Sequence, residues 1–252
     1  MIPGIYISAG GMISSEQCQS VYANNIANAA TVGYKALTPV QLGFYPVFRK
    51  IGENYQVSIP KSAPGGGVKT VETFSDLAMG PLKQTDNPLN IAIQGPGYLS
   101  VQTPAGERYT RAGDLTRDAE GFLCTSQGYR ILGTTNQPIQ VSGAEINIST
   151  DGNVTVDGVL AGQIRCVEFA YPERLTREGE NLYFASEEVS KGMQTATKSV
   201  LRQGYLEWSN TKIPTEMVRL TMGLRSYEAN QRVIVAIDES IGRLIEQVGL
   251  AG

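Results

Sequence analysis

The sequence predicts a mixed, mainly β protein: an antiparallel β body, sandwich or barrel-like, with long N- and C-terminal α-helices that pair or pack as a coiled coil. Three observations carry this. The C-terminal end has a sustained three-four apolar repeat, the N-terminal end has a weaker one, and the middle is a series of short apolar runs separated by turn signals.

At the N-terminus, Ile5, Ala9, Met12, Ala23, Ile26 and Ala30 can share one helical face, with Glu16 and Gln19 interrupting it. Gly10-Gly11 lowers helix propensity near the start, and Gly33 offers a stop, so a helix over about 4–30 is expected. Three Asn in Ala23-Asn24-Asn25-Ile26-Ala27-Asn28 are costly in a helix, because the short amide competes for backbone hydrogen bonds. They read equally as caps of a fraying end or as polar recognition in a packed assembly.

Residues 36–80 are punctuated by Pro39, Pro46, Pro60, Pro64 and Gly65-Gly66-Gly67, which suggests an extended connector with short strands. From about 90 to 186, runs such as Ile91–Ile93, Tyr98–Gln102, Phe122–Cys124 and Ile164–Ala170 alternate with turns at Gly95-Pro96-Gly97, Glu120-Gly121, Asp151-Gly152 and Asp157-Gly158. That spacing is the signature of antiparallel hairpins. Finally Met217, Leu220, Leu224, Tyr227, Gln231, Ile234, Asp238, Ile241, Ile245 and Val248 follow steps of three and four, with Pro214 and Glu216 suited to a helix start. A helix over 214–248 would be about 50 Å long at 1.5 Å per residue. Neither end has a partner within itself, so the two ends pair with each other, with other subunits, or with both.

Composition narrows the chemistry. The chain has 252 residues, 41% of them hydrophobic, and a formal charge of −3, which gives no electrostatic reason to expect nucleic acid. Histidine is absent, which removes His-based nucleophile pairs, His-ligated metals and imidazole base chemistry. Cys18, Cys124 and Cys166 are too widely spaced for a CxxC or zinc pattern and read as small buried hydrophobes. The first residues lack the basic start and apolar core of a Sec signal, and no run reaches the roughly 18 apolar residues that cross a bilayer. Gly95-Pro96-Gly97 lacks the lysine of a phosphate loop. Asp114/Asp118 and Glu178/Glu180 could be offered as glycosidase carboxylates, but nothing in the sequence sets their separation and charged residues near turns are usually solvated; Asp151-Gly152-Asn153 lacks calcium-loop spacing. The single Trp208, just before the C-terminal helix, either anchors an interface or packs that junction. No catalytic, cofactor or metal residue is expected, and no enzyme.

The Asn-rich stretch, with Thr31-Val32-Gly33-Tyr34-Lys35 after it, resembles the N-terminal motif of flagellar rod and hook axial proteins. Gly80-Pro81-Leu82-Lys83-Gln84-Thr85-Asp86-Asn87-Pro88-Leu89-Asn90-Ile91-Ala92-Ile93 is similar to the same family, as is Arg108-Tyr109-Thr110-Arg111-Ala112-Gly113. So are Gln203-Gly204-Tyr205-Leu206-Glu207-Trp208-Ser209-Asn210 and Tyr227-Glu228-Ala229-Asn230-Gln231. Within the family, Asp238-Glu239-Ser240-Ile241-Gly242-Arg243 looks most like rod subunits, FlgF type ahead of FlgG type.

The resemblance implies a structural homo-oligomer of the bacterial flagellum basal body, exported by the flagellar type III apparatus and polymerising through its terminal helices. It implies four segments: 1–35 and 206–252 as helical polymerisation segments, 36–80 as connector, and 81–205 as outer β domain. The expected assembly interface is Ile5, Ala9, Met12, Asn24, Asn25, Ile26, Asn28, Met217, Leu220, Leu224, Tyr227, Ile234, Ile241, Ile245 and Val248. Partners would be itself, neighbouring rod and hook axial proteins and enclosing ring proteins, without nucleic acid or membrane insertion. A hook-type axial subunit, and an envelope polysaccharide-binding or hydrolysing β protein, are the alternatives.

Overall fold

The computed structural model describes residues 2–43 and 68–250. The chain divides into two compact units. The mixed, mainly β class and the pairing of the two terminal helices are both as the sequence predicts.

The first unit comprises residues 1–27, 37–74 and 212–252. Helix α1 (Ile2–Ala27) lies against helix α3 (Ile213–Leu250), and the strands Leu37–Gly43 and Val68–Ser75 form a two-stranded sheet. Pro46, Pro60, Pro64 and Gly65-Gly66-Gly67, read as connector punctuation, lie outside the described residues.

The second unit comprises residues 28–36 and 75–211. Its centre is an antiparallel sheet in which Tyr98–Thr103 pairs with Gly106–Thr110 on one side and Arg130–Ile131 on the other. Strand alternation divides its side chains between two cores. Leu99, Val101, Leu182 and Ile131 enter a large aliphatic cluster with Ile91, Ile93, Leu123, Val154 and Leu201. The intervening Tyr98, Tyr109, Val167 and Tyr183 enter an aromatic cluster with Phe169. Its rings meet edge to face, Tyr98 to Tyr183 at 5.5 Å and Tyr109 to Phe169 at 4.8 Å. The short helix α2 (Glu187–Ser190) adds Val189 to that cluster. Two further pairings matter below: Val200–Gln203 with Ile91–Gln94, and Tyr205–Glu207 with Leu82–Gln84.

Helix α1 ends at Ala27, three residues before the expected end, because the chain turns there. The Thr31 N–H donates to the Asn28 carbonyl at 3.1 Å, and the Thr31 hydroxyl donates to Asn28 Oδ1 at 3.2 Å. Gly33 then adopts φ +69, a left-handed conformation that favours glycine.

Candidate assembly site and the internal clasp

The helix pair has a single antiparallel register, set by small and polar residues. On α1, Gly4, Gly11, Cys18 and Asn25 recur every seven residues; on α3, Glu216, Gly223, Asn230 and Ile237 do the same. A methyl built on Gly4 would stand 3.1 Å from Ile237 Cδ1, and one on Gly11 would stand 2.9 Å from Asn230 Nδ2. One on Gly223 would stand 3.1 Å from Gln19 Cγ. At the far end Asn25 Nδ2 donates to Glu216 Oε2 at 3.0 Å. Two glycines on α1 thus receive large side chains from α3, and Gly223 receives one from α1 in return. The face of α3 turned to α1 is completed by half-buried Leu220, Tyr227, Ile234 and Ile241.

Asn25 is fully buried and joins three segments. Its Nδ2 also donates to the Leu37 carbonyl at 2.7 Å, and its Oδ1 accepts the Leu37 N–H at 2.8 Å. The amide therefore holds the first residue of the Leu37–Gly43 strand as a backbone partner would. Glu216 is itself buried and accepts Arg219 at 2.7 Å. Gln41 Nε2 donates to Ser14 Oγ at 3.0 Å, fixing the same strand on α1.

The expected interface residues fall into three groups. Leu220, Tyr227, Ile234 and Ile241 meet α1, while Asn25 faces inward. Ile5, Ala9, Met12, Ile26 and Asn28 are half-buried, and Asn24 lies on the exposed side. Met217, Leu224 and Ile245 are exposed, at 54%, 46% and 67%. Val248 lies on α3 with its side chain outside the described residues. The pattern did not single out Tyr6 and Ile13 on α1, or Val218, Met222, Val233, Val235 and Leu244 on α3, all exposed large apolar residues. Their signal was present, since Val218, Met222, Ala229, Val233, Ala236 and Leu244 follow a second set of helical steps along α3.

The remaining family-like motifs converge inside the second unit. Glu207 is buried and accepts Lys35 Nζ at 2.6 Å and the Gly80 N–H at 2.9 Å on Oε1, and Arg111 at 3.3 Å on Oε2. Lys35 also donates to the Ala78 carbonyl at 2.7 Å, and Arg111 to the Gly95 carbonyl at 2.7 Å while stacking on Tyr98. Burial pulls the Lys35 ammonium below the ordinary lysine value, against the opposing pull of Glu207. Asn210 Oδ1 accepts the Ala36 N–H at 2.8 Å. The backbones approach so closely that only glycine fits: a methyl on Gly80 would lie 1.8 Å from the Trp208 carbonyl oxygen, and one on Gly113 would lie 1.7 Å from that of Ile91. Trp208 is half-buried at this junction, with Lys83 Nζ 5.1 Å from its ring centre. Thr31–Lys35, Gly80–Lys83, Arg111–Gly113 and Gly204–Asn210, distant in sequence, form one internal clasp.

Of the four carboxylates weighed as glycosidase pairs, Asp118, Glu178 and Glu180 have local partners, whereas Asp114 Oδ1 is buried without a hydrogen bond. Glu178 pairs with Arg108 and Glu180 accepts the Tyr129 hydroxyl at 2.8 Å. Asp118 pairs with Arg130 at 2.9 Å and caps the Phe122 N–H at 2.6 Å. The Gly95-Pro96-Gly97 turn packs on Ser199, whose hydroxyl accepts the Gly97 N–H at 2.8 Å. Cys18 and Cys124 are buried, and Cys166 packs against the aliphatic core. Among the described residues there is no cluster of three or more acidic, Cys or His groups placed to hold a metal. Nor, among the described residues, is any helix long and apolar enough to cross a membrane.

A terminal helix pair set by glycine and asparagine, together with a β unit locked by a buried ionic clasp, defines a class of structural subunit. Comparison with known proteins gives that class its family. Residues 5–35 match the flagella basal body rod protein family, 92–156 the flagellar hook protein FlgE/F/G D1 domain, and 202–247 the flagellar basal body rod FlgEFG protein C-terminal region. The flagellar basal-body rod protein FlgG of Buchnera aphidicola subsp. Schizaphis graminum is 33% identical, over 97% of this chain and 99% of its own. FlgG of Caulobacter vibrioides is 32% identical over 93% and 95%, and the flagellar hook-basal body complex protein FlhO of Bacillus subtilis is 30% identical over 99% of both. The chain belongs to the flagellar rod and hook FlgE/F/G family. The preference for an FlgF type gains no support, since the rod proteins it matches here carry the FlgG name.

Proposed function

We propose that the protein is a structural subunit of the bacterial flagellar basal-body rod, of the FlgG kind, exported by the flagellar apparatus and joined to its neighbours through its terminal helices. The observation that carries this reading is similarity to an FlgG rod protein across 97% of the chain, so the helical unit and the β unit are matched together. Its role is mechanical rather than catalytic. The exposed Met217, Leu224 and Ile245 are the side chains through which α3 meets other subunits, and burying the half or so that each still exposes stabilises the polymer by about 0.7–2 kcal/mol apiece. Ile5, Ala9, Met12, Ile26, Asn24 and Asn28 add α1 to the same contacts. Partners are further copies of the chain and neighbouring rod and hook axial proteins, with ring proteins outside them.

The test is localisation and loss. Basal bodies purified from the source bacterium contain the chain, and deleting its gene stops assembly before the hook. Complete hook-basal bodies formed without it would refute the reading.

A further inference from the structure

The β unit presents a protruding apolar tip on one side and an apolar hollow on the other. The tip belongs to the hairpin of Asn153–Val156 with Val159–Gln163, whose turn residues Asp157 and Gly158 have φ 50 and 83, as a type I′ turn requires. The turn is braced at its base. Asp157 Oδ1 accepts the Glu145 N–H at 2.9 Å, and the Asp157 N–H donates to the Glu145 carbonyl at 2.9 Å. Val159 and Leu160 follow on an edge strand and are 70% and 64% exposed. Successive strand residues point to opposite faces, so both faces of the tip are open and it stands clear of the body. Val159-Leu160-Ala161-Gly162 holds no charge and no proline, the usual guards of an exposed edge.

The hollow, of about 600 Å³, is lined by Phe184, Ala185, Glu187, Ser190 and Lys191. Phe184 is itself partly exposed within it. The two cores fix where tip and hollow lie. Ile148, Val154 and Val156 beneath the hairpin pack into the aliphatic cluster, whereas Ala185 and Val189 behind the hollow pack into the aromatic one. Those clusters occupy opposite faces of the central sheet, so a copy cannot fill its own hollow. The charges nearby are complementary. Glu145 at the base of the tip and Lys191 at the rim of the hollow are both exposed, and among the described residues neither has an ion-pair partner.

We propose that in the assembled polymer Val159 and Leu160 of one copy insert into the hollow at Phe184 and Lys191 of the next, with Glu145 set against Lys191. The proposal rests on the rod reading and adds to it a contact made by the β unit. Because it joins two different patches, the contact is head-to-tail and repeats from copy to copy instead of closing on itself. A hairpin tip in a hollow buries far less than the roughly 1,200 Å² of a stable complex, so free subunits do not associate through it. It forms where the polymer already holds copies side by side, and there the braced turn spares the cost of ordering a loop.

Cross-linking in purified basal bodies tests it. Leu160→Cys and Ser190→Cys are combined in a chain expressed as the sole copy, and the basal bodies are treated with a short bis-maleimide. Neither side chain belongs to the two buried clusters, so neither change disturbs a core. The native thiols react little, since Cys18 and Cys124 are buried and Cys166 is pushed up to about 12. The double variant should give dimers and higher multimers of the chain, while either single variant, and the free double variant in solution, should give none. A double variant without multimers in the basal body, a single variant that yields dimers, or linkage of the Leu160→Cys variant to a protein of another mass would each overturn the proposal. Thermal unfolding followed by Trp208 fluorescence confirms that the variants keep the β unit folded. Immunoblotting of the untreated basal bodies separates the two readings: absence of the chain there refutes the rod reading, whereas presence without cross-links refutes this contact alone.

Discussion

Replacing Glu207 by Gln changes one oxygen to an amide nitrogen and removes the carboxylate that Lys35 and Arg111 both engage. Lys35 and Arg111 are 1% and 4% exposed, so neither cation can turn to water. The Gln amide can accept on one side only, and its NH2 group then faces a cation. Leaving a buried charge uncompensated costs about 3–5 kcal/mol. For a unit of roughly 150 residues that lowers the melting temperature by roughly 10 °C. Trp208 is the single tryptophan and adjoins the clasp, so its fluorescence follows unfolding of this unit specifically. Lys35→Met is the control. It removes one cation but leaves Glu207 with Arg111 and the Gly80 N–H, so it costs less than Glu207→Gln. A Glu207→Gln loss below about 1 kcal/mol, or a Lys35→Met loss exceeding it, would refute the clasp as the lock of the β unit.

Three other expectations follow from particular contacts. Gly113→Ala forces a methyl onto the Ile91 carbonyl and should cost at least about 3 kcal/mol in urea unfolding, whereas Gly128→Ala, with φ +90 and open space around it, should cost about 1–2 kcal/mol. Asn25→Ala leaves the Leu37 backbone and the buried Glu216 short of partners; a loss of roughly 2–4 kcal/mol should appear as faster amide exchange across α1 and α3, with the β unit unchanged. Burial pushes the Tyr109 and Tyr183 phenols up to about 12 from an ordinary 10. Between those values the unfolded chain releases protons that the folded chain retains, so stability falls as pH rises through that window, by on the order of 2–3 kcal/mol per phenol. Ultraviolet titration should show both phenols ionising only at the top of it or on unfolding.

The β body and both helices were legible because their signals are local: alternating short runs with turns between them, and apolar steps of three and four. The clasp was not legible as a site. Lys35, Arg111 and Glu207 stand far apart in sequence, and only the fold brings them together; the family-like motifs marked the right residues without revealing that they face one another. On α3 the apolar repeat shares Leu220, Tyr227, Ile234 and Ile241 with the row that meets α1. The other half of that row is Glu216, Gly223, Asn230 and Ile237, mostly small or polar residues that a count of apolar side chains passes over. Likewise Gly11 reads as a weak helix residue by propensity, yet the absence of a side chain is what admits Asn230. Periodicity identifies a stripe to within one residue; close packing decides which edge of it is used.

Leu224 is exposed, lies one residue from the face that meets α1, and has no role in the clasp or in the helix register. Replacing it with Asp places a charge where neighbouring subunits are proposed to pack while leaving both units folded. The decisive measurement is electron microscopy of basal bodies from cells in which Leu224→Asp is the sole copy, with the exported protein quantified alongside. The account predicts folded, exported subunit and no rod beyond the point of its incorporation. Normal rods and hooks built from the Asp variant would contradict it.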